Sequence, residues 1–145
     1  MKVDSLKRWL QGTWDVQKII LDLNQKTEGT FKGTLHFKKS KEDSRILLYC
    51  EEGMLSFQDF EGPSFRSLFY TFPETYQANV YFAPSSFFHD LDLRTGQWSV
   101  LHSCGSDLYE GKFSVREENQ WQVTWKIKGP RKNLIIDSTL VRIKE

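Results

Sequence analysis

The sequence predicts an all-β fold, an antiparallel up-and-down barrel of about nine to ten strands with a short N-terminal helix. Three observations carry this. Aromatic residues make up 14% of the chain, with eleven Phe and five each of Trp and Tyr, and such rings suit a pleated, half-buried surface. Apolar and polar residues alternate through much of the chain after Thr13, the period of a strand with one face buried. Turn-forming clusters interrupt the alternation at strand-length intervals, and a long antiparallel meander closes into a barrel to remove its exposed edges.

The helix is expected over 5–12, because Leu6, Trp9 and Leu10 share one face at i, i+3 and i+4 and Gly12 supplies a stop. Residues 1–12 are therefore assigned to a helical lead-in and 13–145 to a single barrel domain. Turns are expected at 22–27, 39–44, 61–64, 73–77, 84–86, 94–96, 117–119 and 129–132, where Gly, Pro, Asn, Asp and Ser concentrate. Trp98, Val100, His102 and Cys104 share a strand face, and Tyr109, Gly111, Phe113 and Val115 share another after a turn at Gly105-Ser106. Alternation is cleanest where Trp121, Val123, Trp125 and Ile127 face one way and Gln122, Thr124, Lys126 and Lys128 the other. The last strand is expected over 135–143.

Bulk properties narrow the function classes. A chain of 145 residues can bury a core without disulfides or metals. Twenty basic and nineteen acidic side chains leave a net charge of +1, which gives no electrostatic footprint for nucleic acid. The mean hydropathy of −0.53 argues against a membrane span. Trp9-Leu10 is too short for the apolar region of a signal peptide, so cytoplasmic residence is expected. Cys50 and Cys104 are then expected to remain thiols.

Gly12-Thr13-Trp14 after the helical lead-in, with Arg142 in the last strand, resembles the Gly-x-Trp opening and terminal arginine of calycins, the group that includes lipocalins and fatty-acid-binding proteins. The resemblance implies a tryptophan plugging the narrow end of the barrel beneath a stacked guanidinium, a contact worth about 0.5 to 2 kcal/mol. Tyr49-Cys50-Glu51-Glu52-Gly53, Phe88-His89-Asp90-Leu91, His102-Ser103-Cys104 with Asp107-x-Tyr109-x-Gly111, and Trp121-x-x-x-Trp125 leading to Gly129-Pro130-Arg131-Lys132 resemble the family called domain of unknown function 6314. That resemblance covers nearly the whole chain, implies the barrel and marks the region from Phe88 to Lys132. It implies no reaction, and Asn133 departs from the acidic residue expected there.

The densest chemistry lies at 102–111. His102 and Cys104 point to one strand face, and Asp107 could return to them from the turn. Thiolate, imidazole and carboxylate are all zinc donors, but the spacing matches no metal motif and a fourth ligand would have to come from His89, His36 or Cys50, so no metal is assigned. A Cys104 nucleophile with His102 as base requires hydrogen-bond contact, whereas same-face neighbours lie about 6 to 7 Å apart along a strand. Asp107 is read first as a turn-capping carboxylate and Tyr109 as a ligand contact with an apolar body and polar tip.

Arg131 and Lys132 project from a turn; at an open barrel mouth they would hold a carboxylate or phosphate, and at the closed end they would be solvated. Arg66 shares a face with Leu68, Tyr70 and Phe72, either lining the interior or snorkelling outward. His89 carries the same ambiguity, and Glu51-Glu52 reads as a solvated hairpin end. The function expected is an intracellular barrel binding a small, partly apolar, anionic ligand through His102, Tyr109, Arg66, Arg131, Lys132, His89, Cys104 and Asp107. No cofactor is indicated. The alternatives are a small hydrolase or isomerase using His102 with Asp107 or Tyr109, and a filled barrel that binds proteins through Phe82, Phe87 and Phe88.

Overall fold

The computed structural model describes residues 1–144. Helix α1 (Leu6–Leu10) leads into ten strands: β1 (Gly12–Asp22), β2 (Thr27–Lys39), β3 (Leu47–Phe57), β4 (Phe60–Glu74), β5 (Gln77–Ala83), β6 (Ser86–Asp92), β7 (Gln97–Cys104), β8 (Asp107–Glu117), β9 (Gln120–Lys128) and β10 (Asn133–Arg142). They form one sheet in the order β6-β5-β4-β3-β2-β1-β10-β9-β8-β7, with every neighbouring pair antiparallel. This is the expected up-and-down barrel. Its ring is closed by β1 against β10 and left without a backbone ladder between β6 and β7.

Side chains seal that seam. The Trp98 indole on β7 donates to the Asp90 carbonyl oxygen on β6 at 3.1 Å, and His102 packs edge-on against Phe88 at 5.1 Å between ring centres. Buried polar backbone at a strand edge must find partners somewhere, and the indole supplies one.

One end is plugged. The helix is shorter than expected because Gln11 turns extended and Gly12, at φ +124°, opens β1 rather than ending α1. Leu6 and Leu10 are fully buried beneath the barrel end, each contributing about 1.5 to 3 kcal/mol of apolar burial. Trp9, Trp14 and Trp121 form a three-ring cluster with centroids 5.1 to 5.9 Å apart. The Arg142 guanidinium lies 4.2 Å from the Trp14 ring centre and donates to the Trp9 carbonyl and Asn119 Oδ1, as the tryptophan-and-arginine pattern implied.

The turn expected at 61–64 lies instead at Gln58-Asp59, and Gly62-Pro63 belongs to β4. Gln58 adopts the left-handed conformation the reversal needs, φ 54°, and its amide donates to Asp22 Oδ2 at 2.8 Å. Pro63 is tolerated because β5 pairs with β4 only from Phe69 onward, so the first half of β4 has an edge free of ladder bonds.

Candidate functional site

Inside the barrel the inward faces enclose a cavity of about 80 Å³. At about 10–15 Å³ per water that is space for a few waters or a small organic group. Its walls differ. Aromatic side chains from β6, β8 and β9 form one: Phe88 stacks on Trp125 at 5.1 Å, and Tyr109 and Phe113 meet Trp125 edge-on. Polar groups from β1, β3, β4 and β10 form the other.

The polar wall is built by strand parity. Lys18 follows Trp14 and Val16 on the inward face of β1, and Glu51 follows Leu47 and Tyr49 on that of β3. Lys18 Nζ donates to Glu51 Oε1 at 2.7 Å, with the two side chains only 14% and 4% exposed. The Tyr49 hydroxyl donates to the other carboxylate oxygen at 2.7 Å. Burial lowers the affinity of the Lys18 amine for its proton, while the Glu51 carboxylate opposes that shift. Burial pushes the Tyr49 and Tyr70 phenols well above their ordinary range, so both stay protonated.

Glu51 is therefore a correction. The solvated hairpin end expected at Glu51-Glu52 is mid-strand, and Glu51 is buried because its charge is paired and doubly hydrogen-bonded there.

Arg66 projects from β4 on the face shared with Leu68 and Tyr70, lines the cavity and remains exposed. Its guanidinium lies 5.8 Å from the Phe88 ring centre. Among the described residues it makes no hydrogen bond or ion pair. Ser138 on β10 is 6% exposed, lines the cavity and likewise has no partner.

His89 also lines the cavity, 4% exposed. Its Nδ1 lies 2.7 Å from the Asp90 carbonyl oxygen, which can only accept, so Nδ1 carries the proton and Nε2 is an acceptor. Burial holds the ring neutral by lowering its pKa to about 4.

The residues singled out from sequence thus separate. Arg66, His89 and Tyr109 line the cavity. His102 does not line the cavity and instead packs beside the seam against Phe82, Phe88 and Tyr109. Cys104 is exposed at the end of β7, and no hydrogen bond joins it to His102. Asp107 pairs with Lys132 at 3.4 Å on the rim, so it does not return to His102. Arg131 is exposed on the turn between β9 and β10, at the end of the barrel opposite α1. Among the described residues no three His, Cys, Asp or Glu side chains are placed to hold a metal ion.

Sequence reading missed Lys18, Tyr49, Glu51, Tyr70 and Ser138 as site residues. The signal was present in parity: Lys18 shares a strand face with Val16 and Ile20, and Glu51 with Leu47 and Tyr49.

Known structures share the fold. The S-type phycobiliprotein lyase CPES from Guillardia theta superposes with a TM-score of 0.68 at 12% identity, over 100% of this chain and 94% of that one. EF1p2_mFAP2b, solved bound to DFHBI, gives 0.53 at 14% identity over 97% and 98%. A fluorescence-activating β-barrel designed de novo gives 0.50 at 12% identity over 97% and 99%. No protein of curated function matches the sequence. The family model of DUF6314, a family of unknown function, matches residues 10–142, and the chain belongs to that family.

Proposed function

We propose that the barrel binds a small, partly apolar, anionic molecule in its interior. The observation that carries this is Arg66, a cation lining an aromatic-walled cavity without a carboxylate of its own. Lys18 and Glu51 cancel, and His89 is neutral, so the cavity has an uncompensated positive charge. A guanidinium can offer a carboxylate or phosphate two parallel hydrogen bonds. Phe88, Trp125 and Tyr109 provide the apolar surface that ligand pockets use for most of their contact. Barrels of similar fold, those solved bound to DFHBI among them, support an interior that can take a small molecule.

The test is calorimetric titration of phenylpropionate and of its neutral amide into wild-type protein and Arg66→Met. Wild type should favour the carboxylate and the variant should lose that preference. Equal affinity of wild type for both compounds would remove the anionic reading.

A further inference from the structure

We infer that Lys18 is a positioning residue for the anion site: by occupying Glu51 it keeps Arg66 free, and so sets the cavity for a ligand with one negative charge. This rests on the reading that Arg66 receives an anion.

Glu51 and Arg66 are direct cross-strand partners on β3 and β4. Opposed charges at such positions ordinarily pair, since their Cβ atoms stand about 5 Å apart. They do not pair here. Both carboxylate oxygens are engaged elsewhere, one by Tyr49 and one by Lys18, which comes from β1 past the intervening strand β2.

Strands β2 and β3 approach closely at a pair of facing glycines. Gly33 on β2 lies opposite Val16 on one side and Gly53 on the other. A side chain at Gly33 would run into the Glu52 carbonyl and the Gly53 backbone. Phe31, two residues before Gly33 on the same strand, sits beside Lys18, 5.0 Å from the amine to its ring centre.

The charge sum follows from these contacts. Two cations and one carboxylate face the cavity from β1, β3 and β4, and the carboxylate is held by the deeper cation. A single anion at Arg66 completes neutrality, whereas a second would find no free cation among the described residues of the cavity. The unpartnered Ser138 hydroxyl, cross-strand from Lys18, offers a further polar contact.

Removing Lys18 should therefore disable the site indirectly, by letting Glu51 turn to its neighbour Arg66. Phenylpropionate and its amide are titrated into wild type, Lys18→Met and the double variant Lys18→Met with Glu51→Gln, each checked for an unchanged circular dichroism spectrum. Lys18→Met should lower carboxylate affinity about tenfold or more, the scale of a lost charged hydrogen bond, and leave the amide unaffected. The double variant should recover the carboxylate preference, because no carboxylate remains to occupy Arg66.

Retained preference in Lys18→Met overturns the inference while leaving anion binding intact. Failure of the double variant to recover overturns it too, since Lys18 would then act on the ligand directly. No preference in wild type removes the underlying reading and this inference with it. Should Lys18→Met not fold, Glu51→Gln carries the test: with two unopposed cations it should bind the dianion phenylsuccinate more tightly than phenylpropionate, reversing the wild-type order. An unchanged order overturns the inference.

Discussion

His89 makes the protein sensitive to acid in a way that can be isolated. The ring is 4% exposed, packed against Phe88, Phe113 and Trp125. Burial is the main cause of its lowered pKa, with Arg66 and His102 adding to the shift and the Asp90 carbonyl and carboxylate opposing it. The folded value is about 4, against about 6.5 in an unfolded chain. On acidification the unfolded state therefore takes up the proton first, and stability falls with pH between those values. Integrated from about pH 7.5 to about pH 4.5, the histidine alone should cost about 2.5 kcal/mol. Other groups titrate in this window, so urea unfolding is compared at both pH values for wild type and His89→Gln, whose amide can still donate to the Asp90 carbonyl. The common carboxylate contributions cancel in the difference, and wild type should lose about 2 to 3 kcal/mol more than the variant. Matching losses within about 0.5 kcal/mol would refute a buried neutral imidazole.

Three further outcomes follow from the packing. Trp98→Phe removes the indole bonds to Asp90 across the seam; it should cost about 1 kcal/mol and accelerate amide exchange in β6 and β7 more than in β1 and β2. Arg142→Met removes the guanidinium from Trp14 and its bonds to Asn119 and the Trp9 carbonyl; a loss of about 2 to 3 kcal/mol is expected in chemical denaturation. Gly33→Ala drives a methyl into the Glu52 carbonyl; the expected destabilisation is about 1 to 3 kcal/mol, read as a lowered melting temperature, and a neutral substitution would show that β2 and β3 can part there without cost.

Much of the architecture was legible because strand parity is a local property. Alternating residues such as Trp121, Val123, Trp125 and Ile127 declare their inward face wherever the strand is placed. The plug of Leu6, Leu10 and Trp14 was equally legible, since a short amphipathic helix must bury its apolar stripe and Arg142 marks the strand that covers the tryptophan. The turn at Gln58-Asp59 was not: Gly62-Pro63 carries the stronger turn composition, but β4 has an unpaired edge there that accepts a proline.

The site divides in the same way. Sequence by itself marked Arg66, His89 and Tyr109 as chemically capable side chains on aromatic-rich strands, because that depends on residue type, and it left open whether Arg66 and His89 face the interior. Only the tertiary structure decided that Lys18 reaches Glu51 past β2, that Glu51 is buried, and that Asp107 meets Lys132 on the rim and not His102. The physical reason is that a charge's role depends on which other charge reaches it first. Barrel closure brings β1, β3 and β4 around one cavity, joining residues thirty-three apart in sequence.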